Sequence, residues 1–160
     1  MGGWHDNDVW VIVIILVCGG RDYQDAQQLA YELSRIEHEM GKPIRGFIHG
    51  AARGADTLAK EWQEARIRAG RSKVPGTELL KDLWSAGYPA DWATHGKAAG
   101  PIRNQNMLDQ NPGIELVVAF PGGKGTADMV ARAKKKGLPV ICIATQPKYN
   151  LSTVSPGTHV

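Results

Sequence analysis

Apolar and polar positions fall in blocks whose period switches between that of a strand and that of a helix. Residues 9–17 form a β-branched apolar run without alternation, the pattern of a strand covered on both faces. Ala26, Leu29, Ala30, Leu33, Ile36 and Met40 then recur on one helical stripe. Asp25 with Gln28 has capping-box spacing, while Gly41 and Pro43 mark the stop, so a helix is expected over 25–40. A second strand is expected at 44–48. Ala55, Leu58, Ala59, Trp62 and Ala65 line one face of a helix reaching about residue 69. Residues 70–87 read as an insertion, with a turn at 73–76 and an added helix over 77–85 that points Leu79, Leu80 and Leu83 inward. A weak strand or extended segment at 88–92 follows, then a helix over 101–110 with Pro101 in its first turn. A strand at 114–120, a helix to 136 and a last strand at 139–144 complete the pattern. Residues 1–8 are expected to be a loose start and 145–160 an extended tail.

Strands alternating with helices predict an α/β fold: a single-domain, Rossmann-like three-layer sandwich around a mostly parallel sheet, spanning 9–144. In such sheets ligands bind outside the carboxyl ends of the strands, near the point where strand order reverses. Four expected strand ends carry small, polar or cationic residues: Gly19-Gly20-Arg21-Asp22, His49-Gly50-Ala51 with Gly54 and Asp56, Lys97 with Gly100 and Asn104, and Pro121-Gly122-Gly123-Lys124-Gly125-Thr126. The last follows an apolar strand and opens a helix. Its backbone N–H groups and the helix dipole outline a phosphate cradle. The spacing is neither that of a Walker loop nor the dinucleotide Gly-x-Gly-x-x-Gly. A tight strand-to-helix turn is the plainer reading of the same residues.

Composition narrows the classes. The chain has 160 residues, 42% hydrophobic and 22% charged, enough for one core without disulfides or metals. A formal charge of +3 is too small to argue for nucleic acid. The Lys134-Lys135-Lys136 run suits a helix C-terminus. Cys18 and Cys142 sit in apolar runs and read as buried thiols of a reducing, cytoplasmic compartment. The N-terminal apolar run is too short to span a bilayer and follows Asp6 and Asp8 rather than a basic segment. No metal-ligand spacing occurs and no cofactor is expected.

The charges at the strand ends point to an anionic small molecule, most simply a nucleotide or sugar phosphate. Arg21, Lys97, Arg103 and Lys124 can supply cations. Arg53 reads as a surface ion pair. Arg103, among Ala, Gly and Pro at a helix start, has little structural reason to be there. Asp56 fits a helix cap, Asp22 a turn and Asp128 a helix first turn. A carboxylate beside a bound phosphosugar also serves N-glycosidic cleavage, so Arg103, Asp128 and Asp56 are the candidate catalytic residues. His49 reads as a satisfied turn histidine rather than a catalyst, and is kept as a candidate ligand contact. No Ser, Cys and His set forms a nucleophilic constellation. Trp62 and Trp84 read as core, as does Trp92, while Tyr23 and Trp92 also stand where they can stack on a base.

The motifs carry a resemblance. Cys18 to Tyr23, His49-Gly50-Ala51 with Gly54-Ala55-Asp56, Pro89-Ala90-Asp91-Trp92, Ala99 to Asn104, and Phe120 to Met129 together resemble the SLOG superfamily. This Rossmann-like group contains the Lonely Guy phosphoribohydrolases, and the match is to its YspA/YpsA-related branch. The resemblance implies that the Pro-Gly-Gly-x-Gly-Thr turn holds a nucleotide phosphate with help from Arg103. It also implies cleavage of a nucleoside monophosphate to free base and ribose phosphate, and a homodimer or larger assembly. The Lonely Guy enzymes use a glutamate three residues after the threonine; here Met129 stands there, with Asp128 one residue before. A non-catalytic sensor or sequestering module with the same pocket is the competing expectation. Single-stranded DNA binding, known elsewhere in the superfamily, is disfavoured by the modest charge.

Overall fold

The computed structural model describes residues 13–71 and 82–145. The expected loose start, the first residues of the first strand, the turn at 73–76, most of the helix expected over 77–85 and the tail beyond 145 lie outside them. Five parallel strands form one sheet: β1 (Val13–Cys18), β2 (Ile44–His49), β3 (Trp84–Gly87), β4 (Ile114–Ala119) and β5 (Val140–Cys142), in the order β3-β2-β1-β4-β5. The helices are α1 (Ala26–Met40), α2 (Ala55–Arg71), α3 (Trp92–His95), α4 (Ala99–Gln110) and α5 (Lys124–Lys135), with a 3₁₀ turn at Gly96–Ala98 leading into α4.

The sheet divides the core in two, as strand side chains alternate across it. Val13, Ile15 and Val17 of β1 pack with Leu29, Leu33 and Ile36 of α1 and with Ala55 and Ala59 of α2. Leu16 and Cys18 face Met107 and Leu108 of α4 and Met129 and Ala133 of α5. This is the three-layer α/β architecture expected from the alternating blocks, with every strand pair parallel. Strand order reverses between β1 and β4, which opens a crevice at their carboxyl ends.

Local signals account for the helix ends. The Asp25 carboxylate accepts from Gln28 N–H at 2.9 Å, and Gly41 ends α1 at φ 65°. The Gln28 side chain does not close a capping box. It turns inward, accepting from the Tyr23 hydroxyl at 2.8 Å and donating to the Ala144 carbonyl at 3.0 Å. Between α1 and α2, Glu37 accepts from the Arg66 guanidinium and from Ile44 N–H, and Gln63 donates to the Arg45 carbonyl. Buried polar groups are thereby satisfied where the helices meet the start of β2.

Three expectations are corrected. Trp84 and Ser85, read as helical, begin the edge strand β3, and where a weak strand or extended segment is expected at 88–92 no strand forms: a loop runs into α3. Gly46 provides the reason: without a side chain it leaves room for the Trp84 ring, which a Cβ would meet at 2.4 Å. Cys142, read as buried, is exposed on the short edge strand β5.

Candidate functional site

Three backbone loops meet above the crevice and are fastened to one another. Gly20 N–H donates to the Pro121 carbonyl at 2.8 Å, and Ala55 N–H donates to the Gly20 carbonyl at 3.2 Å. The approach is so close that side chains are excluded. A Cβ on Gly54, which has φ 83°, would lie 2.1 Å from the Gly20 oxygen, and one on Gly122 would lie 2.6 Å from the Gly20 nitrogen. Gly54 and Gly122 therefore join loops to each other. Gly123 and Gly125 differ, since a Cβ on either meets nothing within 4 Å.

Beside these loops lies a cavity of about 660 Å³, within the range of small-molecule sites. Its wall brings together most of the candidate residues: Gly19, Gly20 and Arg21 after β1, Gly50 and Asp56 around the start of α2, and Gly123, Lys124, Gly125, Thr126 and Asp128 at the start of α5. Lys97, Gly100, Arg103 and Asn104 complete it from the α4 side. Six candidates stand elsewhere. Gly54 and His49 are not part of this wall, and Ala51 faces an adjoining lobe. Asp22, Pro121 and Gly122 face a neighbouring hollow beside the start of α1, which shares Gly20, Arg21 and Gly123 with the cavity. His49 is buried, and its Nδ1 accepts from Ala51 N–H at 3.1 Å, the satisfied turn role. Asp22 is almost fully exposed and pairs with Arg53 at 3.5 Å. It does not hold the Gly-Gly turn, which Tyr23 N–H closes onto the Gly20 carbonyl at 3.2 Å.

The sequence reading missed Cys18, Ala52, Pro101 and Met107 in the wall and assigned Trp92 chiefly to the core. Trp92 is 49% exposed, with the Arg21 guanidinium 5.1 Å from its ring centroid. Its place in the Pro-Ala-Asp-Trp turn, where the Asp91 carboxylate accepts from Thr94 N–H and caps α3, was the available signal. Tyr23 is no stacking platform: its ring packs on Phe120 with centroids 5.3 Å apart.

α5 begins at Gly123 with no side-chain cap, so its first N–H groups face the cavity wall unclaimed by a capping oxygen. Arg103 is half-buried in the wall of the same cavity. It donates through Nη1 to the Gly50 and Tyr88 carbonyls and through Nε to Asn104 Oδ1 at 3.0 Å. Among the described residues it forms no ion pair.

The two cavity carboxyls are shifted in opposite directions. Asp56 is not the N-cap of α2 but lies inside its first turn, buried, with its Oδ2 accepting from Ala52 N–H at 3.3 Å. Burial pushes its pKa from 3.8 up to about 6, against the pull of the Ala52 hydrogen bond and of Arg103. Asp128 also feels partial burial. Hydrogen bonds from Arg132 Nε at 2.8 Å and Asn104 Nδ2 at 2.9 Å outweigh it and hold the carboxyl below its usual value. Met129, at the position of the Lonely Guy glutamate, is fully buried in the core beneath α5. Burial drives the Cys18 thiol up to about 12, which removes it as a nucleophile at neutral pH. Among the described residues no group of three or more His, Cys, Asp or Glu is placed to hold a metal ion, and no helix is long and apolar enough to cross a membrane.

Comparison with known proteins follows this geometry. The model of the YspA, cpYpsA-related SLOG family matches residues 13–69, which span β1 to α2 and the first two loops of the site. The chain is 34% identical over 139 residues to the Gene 61 protein of Mycobacterium phage D29, covering 83% of this chain and 98% of that protein. Among solved structures, the Moco carrier protein of Chlamydomonas rheinhardtii shares the fold at a TM-score of 0.51 and 22% identity. That match covers 86% of this chain and 79% of that one.

Proposed function

The chain belongs to the YspA, cpYpsA-related SLOG family, and on that footing we propose that it binds a phosphate-bearing small molecule of the nucleotide class in the crevice between β1 and β4. The observation that carries this reading is the start of α5. Uncapped N–H groups there adjoin open space at Gly123 and Gly125, and Arg103 lies on the same cavity. Arg21, Lys97, Arg103 and Lys124 outnumber Asp56 and Asp128 around the wall, so the field favours an anion. The carrier named among the structural neighbours is in keeping with a role of holding a ligand.

A second reading, cleavage of the N-glycosidic bond of a bound nucleoside monophosphate, is favoured by one observation. Asp56 and Asp128 face one cavity with their pKa values pushed apart. Such a pair can divide the work, one carboxyl donating a proton to the leaving base and the other, ionised, offsetting charge on an oxocarbenium-like transition state.

One panel tests both. Nucleoside monophosphates, dinucleotides and cyclic nucleotides are incubated with the protein while thermal shift and base release are followed. Stabilisation without release indicates a holding protein. Release that disappears in Asp56→Asn, Asp128→Asn and Arg103→Ala indicates a hydrolase. Gly123→Val is expected to fold normally and lose ligand stabilisation, because its side chain enters open cavity rather than protein. Undiminished affinity in that variant would reduce the glycine segment to a turn.

A further inference from the structure

The main cavity continues into a second lobe of about 550 Å³, whose wall shares Arg21, Gly50, Trp92 and Arg103 with the first. The new surface consists of Ala51 and Arg53 from the loop after β2 and Pro89 and Ala90 from the loop after β3. Three arginines and no carboxylate line this lobe. Arg103 is hydrogen-bonded to the Gly50 and Tyr88 carbonyls and to Asn104, but the other two have weak partners. Among the described residues Arg53 pairs only with Asp22, both side chains being mostly exposed (77% and 97%), so that contact stabilises little. Arg21 lies over the Trp92 ring and forms no ion pair among the described residues. Burial lowers the pKa of Arg103 most, and Arg21 adds to that against the larger opposing pull of Asp56. Two guanidinium groups held within reach of each other are a repulsive arrangement that a bound anion relieves.

The backbone of the lobe is strained as well. Ala51 has φ 54°, a conformation L residues seldom adopt. Its N–H is tied to His49 Nδ1, and Tyr88 N–H donates to the His49 carbonyl at 2.8 Å. The loops after β2 and β3 are thus fixed against each other around the arginines.

We propose that this lobe is a second anion subsite, and that the ligand is a nucleotide carrying a second phosphate on the far side of its nucleoside. This rests on the nucleotide reading of the main cavity. The spacing follows from the sheet. The α5 cradle stands over the end of β4, whereas the residues that belong to the lobe alone follow β2 (Ala51, Arg53) and β3 (Pro89, Ala90), two or more strands away in the order β3-β2-β1-β4. At about 4.8 Å per strand, the two anion positions are about 10 Å apart or more. Adjoining phosphates of a diphosphate are too close together to occupy both. Phosphates on different carbons of one nucleoside reach much farther, leaving the base or sugar beside Trp92 between them.

Calorimetry at fixed ionic strength with the 5′-monophosphates, 5′-diphosphates and 3′,5′-bisphosphates of adenosine and guanosine tests this. For at least one base the bisphosphate is expected to bind about tenfold tighter than the monophosphate, the value of a charge-assisted contact, with a smaller gain for the diphosphate. Arg53→Gln, at an exposed position that folding does not depend on, should remove most of that advantage and leave monophosphate affinity unchanged. Equal affinity of mono- and bisphosphate overturns the second subsite and leaves the nucleotide site standing. So does an unaltered bisphosphate advantage in Arg53→Gln. Failure of every compound to bind overturns the nucleotide reading, and the second subsite with it.

Discussion

Asp56 is the residue whose environment most conflicts with its charge. Its carboxyl is buried at the bottom of the cavity, and its pKa rises from 3.8 to about 6. Between those values the folded protein binds a proton that the unfolded chain has released, so this group makes stability fall as pH rises through that window. The span corresponds to about 3 kcal/mol, fully present below pH 4 and lost above pH 6. His49 works in the opposite direction, since burial lowers its pKa and acid destabilises its neutral form. Comparison with Asp56→Asn cancels that contribution. Urea unfolding between pH 4 and 8 should show wild type gaining up to about 3 kcal/mol relative to the variant as pH is lowered. A pH-independent difference would mean that the carboxyl stays ionised, and would remove it as a proton donor in the cavity. Asp128 makes the contrast: it is also partly buried, but hydrogen bonds from Arg132 and Asn104 outweigh that and hold its carboxyl below the ordinary value.

Among the elements, β3 shows what periodicity can and cannot reveal. The longer strands and helices were legible because each has enough residues to display its period, and Gly41 and Asp25 punctuate α1 where expected. β3 has four residues, Trp84-Ser85-Ala86-Gly87, at the sheet edge, too few to show alternation. What fixes it is a long-range fit: the Trp84 ring lies against Gly46 of β2. The glycines of the site posed the same difficulty. Gly122 and Gly123 are adjacent and look alike in sequence, yet one is pressed against Gly20 and the other borders open cavity. Spacing identified the loops but not which glycine serves packing. Gly46→Val tests the edge. Its side chain would strike the indole, so we expect a loss of about 1–3 kcal/mol and faster amide exchange at 84–87. Because β3 leads directly to the turn bearing Trp92, ligand affinity should fall too. Wild-type exchange at 84–87 in a destabilised variant would place the cost elsewhere.

For the whole molecule, the order β3-β2-β1-β4-β5 divides the sheet into a half built by β1, α1, β2, α2 and β3 and a half built by α4, β4, α5 and β5. The cavity wall draws Arg21, Gly50 and Asp56 from the first half and Arg103, Lys124 and Asp128 from the second, so a molecule filling it bridges them. Such a ligand stabilises the folded chain by mass action, by about 2.7 kcal/mol at a hundredfold excess over its Kd. Protection from hydrogen exchange should then appear together in the loops at 19–21, 50–56 and 123–128, although only the last contains the α5 cradle. The measurement uses whichever nucleotide gives the largest thermal shift, at saturation. A ligand resting on α5 alone would protect 123–128 and leave the β1 and β2 loops exchanging at their free rates, and the crevice at the switch point would then play no part in recognition. Simultaneous protection follows only if the reversal of strand order creates the site. Arg103→Ala should uncouple the two regions, since its guanidinium donates to the Gly50 and Tyr88 carbonyls while its helix packs against α5. In that variant residual binding is expected to protect the cradle more than the β2 loop.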